Sequence, residues 1–446
     1  MDAPSTHHSS VRFRVTRLLA LAAAIAYLSR NSLAVAESTI REELGMSKSA
    51  MGFLLGPAFF WSYALAQIPT GMLVDRIGAR RGLPLFSVAW SVATACFGVA
   101  RGAFLLGAGR ITSGLAQAGL FPGAASTVAR WHPATERARA SARIGAAMSV
   151  GAACGAALTG ELMKYLSWRC IFALYALPGL AWAWWFYRWF RNDPAEHPQV
   201  DSSELKVISS VASEAKASDT PNNTATEAPR LPWRQLLRRW EIWLVCGQQF
   251  FRAAGYAFFA SWFATYLQET RGVSTAKSGW LLTIPLLATV GGSLLGGTIS
   301  DRLLRLTQSF WVARSALGAT SLGVCAWLVL LSGTVADATG ATLLIGCGAL
   351  FAALAGPSAY AATMDLGGAD VTKVFSTMNM IGNFGAGLIP WLVPTFLSWV
   401  ETQPTLLSWA DGNSWNALLP LFGMIYGLGA ICWLGVRPKR AEPVSG

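Results

Sequence analysis

Stretches of about 20 mostly apolar residues recur along nearly the whole chain, each long enough to cross roughly 30 Å of hydrocarbon as a helix. Twelve spans are read, starting near Leu18, Met51, Leu83, Ala103, Ala142, Ile171, Ile242, Gly279, Trp311, Ala341, Phe375 and Trp415. Each runs roughly 18 to 27 residues. Composition agrees, since 53% of the 446 residues are hydrophobic and only 13% charged, with 20 Trp and 22 Phe. The chain reads as an all-α, polytopic membrane protein.

Basic residues bunch in alternate connections. Arg12, Arg14 and Arg17 precede the first span, and Arg76, Arg80 and Arg81 follow the second. Arg130, Arg137, Arg139 and Arg143 follow the fourth, and Arg437, Lys439 and Arg440 close the chain. Cytoplasmic connections carry this excess, so both termini are expected inside and the protein in the cell (inner) membrane. The same placement argues against a nucleic-acid partner for the net charge of +12, because the cations sit in short topology-setting loops. The first span is too long for a signal peptide, carries Arg30 and lacks a convincing cleavage site, so it is expected to be retained.

One polar interruption, from about 191 to 239, divides the spans six and six. Its middle, "SSELKVISSVASEAKASDTPNNTATEAPR", cannot bury enough apolar area to fold alone. It is expected to be a cytoplasmic linker with one short amphipathic helix around Leu205 to Val211, joining bundles at 1–190 and 240–446. The halves echo each other at "GMLVDRIGARR", residues 71–81, and "GTISDR", residues 297–302. Gly71, Asp75 and Arg76 match Gly297, Asp301 and Arg302, 226 residues apart and close to half the chain. A duplicated six-span unit, giving two pseudo-symmetric six-helix bundles, is a transporter signature. Gly71 lets helices approach closely, while Asp75 is placed to accept hydrogen bonds at a helix end and to pair with loop arginines.

Cys96, Cys154, Cys170, Cys246, Cys325, Cys347 and Cys432 lie in or beside apolar spans without a C-x-x-C pair, and read as small buried hydrophobes. His7, His8, His132 and His197 fall in a tail or in loops, none spaced with Cys, Asp or Glu as a metal site requires. No metal, cofactor or enzymatic chemistry is expected. The cluster "WAWWFYRWF", residues 182–190, reads as an aromatic belt at the cytoplasmic interface.

With these features the chain resembles the major facilitator superfamily over nearly its whole length, and within it the anion:cation symporters. That family includes bacterial sugar-acid (galactonate, glucarate, hexuronate) carriers and vertebrate organic-anion and phosphate relatives. The matching stretches are "YLSRNSLAVA", "YALAQIPTGMLVDRIGARR", "GRITSGLAQAGLFPGAASTVARWHPATERARASA", "SWRCIFAL", "SWFATYLQETRGVS" and "MNMIGNFGAGLIP". The resemblance implies the major facilitator fold.

Three arginines stand inside spans. The first span rises outward to end near Ser38 and the fourth descends from near Gly102, so Arg30 and Arg110 sit at similar depth, roughly 12 Å from the outer edge at 1.5 Å per residue. Arg252 in the seventh span adds a third cation. Burying an arginine there costs on the order of 3 kcal/mol, so each needs a partner or water. Acids are few: Glu37 and Glu161 near outer ends, Asp365 near an inner one. The arginines therefore either pair with helix ends, backbone carbonyls and these peripheral acids, or wait for an anionic substrate. The second reading is expected for Arg30 and Arg110, and both stay open for Arg252. Tyr27 and Arg30 share a helix face, as do Arg110 and Gln117, and Asn379 and Asn383. The resemblance implies substrate-cavity roles for Tyr27, Arg30, Tyr63, Arg110 and the asparagine of the eleventh span. For Tyr63, Gln67 and Asn379 the competing reading is interhelical polar glue.

The expected function is a transporter, secondary active or facilitative, of small organic anions by alternating access about a site between two six-helix bundles. The expected partners are a small anionic solute, the lipid bilayer and a coupling ion such as H+ or Na+, and a monomer is expected. The rivals are an anion sensor that does not transport and a carrier exporting cationic drugs, which needs buried carboxylates facing the cavity. Proton-coupled relatives carry an acid just before the first-span arginine and another seven residues after the fourth-span arginine. Here those positions are Ser29 and Gln117. Transport without that pair is expected, with Glu37 and Asp365 as coupling candidates. Glu37 is preferred because it stands two turns from Arg30 on the same face.

Overall fold

The computed structural model describes residues 10–208, 235, 238–367 and 371–437, without the side chains of 68, 134, 135, 137, 138, 364, 365, 367, 371–373 and 376. In lipid, backbone N–H and C=O groups have no water to turn to, so each crossing must satisfy them within a helix. Among the described residues every long element is helical.

The first half comprises α1 (Val11–Glu43), α2 (Lys48–Leu55), α3 (Pro57–Ile77), α4 (Ala79–Phe97), α5 (Ala103–Ala118), α6 (Leu120–Trp131), α7 (Ala134–Leu162) and α8 (Trp168–Trp189). The second comprises α9 (Trp240–Phe259), α10 (Phe263–Arg271), α11 (Thr275–Thr307), α12 (Leu317–Ser332), α13 (Ala338–Gly367), α14 (Val371–Glu401) and α15 (Leu418–Gly435). A π-helical turn, Trp311–Ala316, leads into α12. Taking the broken pairs α2–α3, α5–α6 and α9–α10 as single crossings gives the twelve expected from sequence. Nine described stretches are long and apolar enough to span by themselves. The other three are α4, which starts on Arg80 and Arg81, and the broken crossings that carry Arg110 and Arg252.

Serines start several helices by accepting an early backbone N–H, Ser47 from Ala50 and Ser274 from Lys277. Gly78 turns the chain sharply between α3 and α4 at φ 78°, and a Cβ there would meet the Asn192 amide at 2.3 Å. Asn192 in turn accepts from the Arg80 N–H at 2.9 Å.

Within the first half α1 packs along α7, and α4 lies against α5 and α8. In the second, α11 and α12 flank α13, and α9 packs on α14 and α15. Large apolar side chains such as Leu65, Phe104, Met424 and Ile431 face outward, as lipid contact requires. Three cysteines expected to be buried, Cys154, Cys170 and Cys347, join them, because a membrane exterior is as apolar as the interior. The aromatic belt at 182–190 is also split. Trp184, Trp185 and Tyr187 face outward, whereas Trp182, Phe186 and Phe190 are buried in a stack with centroids 4.6 and 4.5 Å apart.

The buried core is not symmetric along the helix axes. One apolar cluster runs from the second half into the end of the first half remote from the linker, through Leu33, Met51, Phe97 and Trp168. The linker end of the first half keeps a separate cluster around Val15, Trp131 and Trp182. The halves thus meet at the remote end, where α7 packs on α11 and α2 on α14, and part towards the linker. The linker itself starts on the first half. Residues 202–208 are helical, and buried Glu204 accepts from the N–H groups of Val11 and Arg12 and from the Arg12 guanidinium. The rest of the helix expected at Leu205 to Val211 lies outside the described residues.

Candidate functional site

The site begins with a broken helix. Gly56 separates α2 from α3, with Pro57 unable to donate and the last carbonyls of α2 left short of helical donors. Arg110 on α5 supplies one, its Nε donating to the Leu54 carbonyl at 3.0 Å. The break is held from the other side by α14, since Cβ atoms on Gly52 and Gly56 would lie 2.5 and 2.2 Å from the carbonyls of Pro390 and Gly387. Among the described residues the two terminal nitrogens of Arg110 have no partner.

The break also aims Phe59 into the gap between α1 and α5. The guanidinium of Arg30 lies 4.4 Å from this ring and that of Arg110 4.7 Å. Tyr27 at 4.2 Å and Tyr63 at 5.2 Å complete an aromatic cage around Arg30. Gln117 fixes the orientation: its Oε1 accepts from Arg30 Nε at 3.1 Å and Nη2 at 2.8 Å. The two arginines expected at similar depth thus meet over one ring. Arg30, Tyr27 and Tyr63 remain partly exposed deep in the molecule, so they line a space between the halves.

Arg252 faces that space from α9. Its Nη2 donates to Gln249 Oε1 at 2.8 Å, while its Nε is buried without a partner among the described residues. A Cβ on Gly356 of α13 would lie 3.7 Å from its Nη1. Asn379 donates to Gln67 Oε1 at 3.0 Å across the halves, and Asn383 donates to the Asn379 carbonyl at 2.9 Å. Those amides act at least as glue. Among the described residues no carboxylate pairs with Arg30, Arg110 or Arg252.

Glu37 is placed elsewhere than the helix-face count suggested. It points into the closed end, fully buried, accepting from Thr265 of α10 at 2.5 Å and from Arg41 at 2.7 Å. Arg41 and Lys48 reach Glu269 of α10 at 3.5 and 2.8 Å, and Ser38 donates to Gln268 at 2.9 Å. Trp415 donates to Glu269 at 2.7 Å. Glu161 pairs with Lys164 at 2.8 Å. Asp365 lies outside the described side chains.

The duplicated motif behaves differently in its two copies. A Cβ on Gly71 would lie 3.3 Å from Pro122, the close approach expected, whereas Gly297 has 4.0 Å to Pro357. Asp75 does not make the expected ion pair with the loop arginines among the described residues, because it sits exposed on the last turn of α3 where the halves have parted. Asp301 lies 3.6 Å from Arg314. Arg76 and Arg302 are exposed.

Sequence reasoning missed Phe59, Gln249, Thr265 and Glu269. Phe59 had a signal in the "GP" step two residues before it, which marks a helix break. Gln249 had one in its three-residue spacing to Arg252 on the same helix, whereas Thr265 and Glu269 gave none, since their partners come from distant helices.

The sequence profile described as the Major Facilitator Superfamily matches residues 19–390. A probable sulfoacetate transporter of Cupriavidus necator is 27% identical over 96% of this chain and 94% of its own length. A probable galactarate/D-glucarate transporter of Bacillus subtilis is 31% identical over 74% of this chain and 75% of its own. Among solved structures, a bacterial homolog of the human lysosomal transporter Spinster, inward-facing and unoccupied, superposes with a TM-score of 0.75 at 20% identity, covering 97% of this chain and 99% of its own.

Proposed function

The chain belongs to the Major Facilitator Superfamily, and we propose that it carries small organic anions of the sugar-acid and sulfonated-carboxylate class across the cytoplasmic membrane by alternating access. The observation that carries this reading is the pair of guanidinia stacked on Phe59 with no carboxylate among the described residues to neutralise them. Their unfilled donors suit a carboxylate or sulfonate, which a guanidinium binds in two parallel hydrogen bonds. Names of relatives support the same class. A cavity with no acid among its described side chains is a poor host for cationic drugs.

The rocking units are the first and second halves, with 192–208 travelling with the first, and the termini and linker lie in the cytoplasm. The open side then faces the cytoplasm and the Glu37–Thr265 contact forms the outer gate. Tyr27, Tyr63, Gln117, Asn379 and Asn383 line the path with the three arginines. No proton travels through the usual pair, whose places Ser29 and Gln117 hold. Glu37 remains the described acid nearest the path, acting as a gate group.

A screen of the purified protein against anionic metabolites tests the class. D-glucarate or sulfoacetate at 100 times its dissociation constant should stabilise the fold by about 2.7 kcal/mol. No stabilisation by any carboxylate or sulfonate would remove the proposal. A cysteine at Ser213 in a cysteine-free background tests orientation, since impermeant reagents should reach it only from inside.

A further inference from the structure

The charge inventory of the cavity bears on how the empty protein can move. Arg30 ends on the neutral amide of Gln117, Arg110 on a backbone carbonyl, and Arg252 on the neutral amide of Gln249. The acid nearest in sequence to Arg30 on its own helix, Glu37, is engaged by Arg41 and Thr265 at the gate. Asp365 follows Gly356, the neighbour of Arg252, by nine positions, which is about 13 Å along the helix axis.

A carrier that alternates must pass through a state closed on both sides. While the cavity is open, water reaches the part-exposed guanidinia of Arg30 and Arg252, whereas Arg110 is already buried. Closure withdraws that water, and an unpaired cation at membrane depth is strongly disfavoured. The faces of Phe59, Tyr27 and Tyr63 offset only part of this. A bound anion offsets it directly, so the loaded protein can close where the empty one cannot. A carboxylate at position 117 would act as an internal counter-ion and let the empty protein return. Gln117 withholds it.

We infer that this protein is an obligate anion exchanger, releasing one organic anion for each one it takes up. The inference rests on the anion-carrier reading of the same cavity. When two anions of equal charge trade places no net charge crosses, so neither a proton nor sodium is required and the membrane potential does no work on the cycle.

The test uses full-length protein in proteoliposomes preloaded with labelled D-glucarate, and a parallel set with sulfoacetate. Efflux is followed into buffer with or without the same unlabelled anion. External anion should speed efflux by more than about tenfold, a modest factor for one unpaired charge in a membrane. In Gln117→Glu the stimulated and unstimulated rates should converge. Equal efflux with and without external anion in the wild-type protein would overturn exchange while leaving anion carriage intact. Efflux of neither anion under either condition would overturn both readings. A Gln117→Glu protein that still moves anion only by exchange would overturn the charge argument.

Discussion

The two halves hold their membrane-embedded arginines in opposite ways. In the first, Arg30 is gripped by both a cage of three rings and Gln117, and Arg110 is tied to the broken end of α2. In the second, Arg252 has, among the described residues, a single amide partner and a buried Nε with none. A group whose geometry is set before binding loses little entropy on binding, whereas an unsatisfied one gains most from a new partner. The difference teaches a division of labour, in which the first half seizes the anion and the second is drawn onto it. The closed end follows the same pattern of charge, with Arg41 and Lys48 from the first half meeting Glu269 from the second.

Exchanging arginine for lysine gives the sharpest break. Lysine keeps the charge but loses the planar fork, and at Arg30 it also loses stacking on Tyr27, Phe59 and Tyr63. Arg30→Lys should weaken anion binding by roughly a hundredfold, about 2.7 kcal/mol, in calorimetric titration. Arg252→Lys should cost about tenfold, because less is preset there to lose. Replacing Arg30 and Arg110 together should abolish binding and leave the protein folded. Equal losses at Arg30 and Arg252 would erase the distinction between the halves, and unchanged affinity in Arg30→Lys would return that residue to a structural role.

Much of this was legible before any coordinates. Apolar stretches predict the crossings, nine of them among the described residues by length and composition alone, and counting residues at a fixed rise brings Arg30 and Arg110 to one level. What depends on chain breaks or on the other half was hidden. The α2–α3 break turns Arg110 onto the Leu54 carbonyl, and its cause is a two-residue Gly-Pro step rather than a periodic signal. Pro394 leaves the Pro390 carbonyl without its helical donor, and Trp262 fills the vacancy at 2.7 Å. The helix-face count set Glu37 beside Arg30, but a carboxylate goes where donors are, and those are Arg41 and a threonine 228 residues away. Asp75 was expected to be paired because the loop is basic, yet pairing there depends on whether the halves are apart.

The gate offers a milder break. Glu269 joins Arg41, Lys48 and Trp415 while remaining about a third exposed, so its ion pairs are individually weak. Glu269→Gln should raise outward opening by up to about fivefold, the worth of roughly 1 kcal/mol. A cysteine at Ser38 reports it by faster labelling from outside. Lys48→Glu should act similarly, and the charge-swapped pair Lys48→Glu with Glu269→Lys should recover slow labelling. Glu37→Gln should open the gate further, because its carboxylate is fully buried. Labelling indifferent to all of these changes would show that the closed end is held by the packing of α7 on α11 and of α2 on α14.

The smallest effect separates the halves by acid sensitivity. Both histidines outside the tail belong to the first half and its linker, at 132 and 197, and the second half has none. His132 is buried between α1 and α7, with Thr16 Oγ1 at 2.7 Å, the Arg12 carbonyl at 3.1 Å and Glu136 at 3.3 Å. Burial depresses its pKa below 6.5 despite the pull of Glu136. His197, packed on Trp131 and Trp189, is depressed too, by burial and then by Arg191. An unfolded chain takes up these protons near pH 6.5, and the folded protein only at lower pH. Between those values the unfolded state binds more protons, so stability is full above about pH 6.5 and is lost as pH falls through the folded pKa. The melting temperature of the purified protein should therefore decline on acidification from about pH 7.5 to about 5.5. His132→Gln should flatten part of that decline and leave the share of His197. An unchanged slope in the double variant with His197→Gln would move acid sensitivity to the carboxylates, which both halves carry, and the halves would no longer differ in this respect.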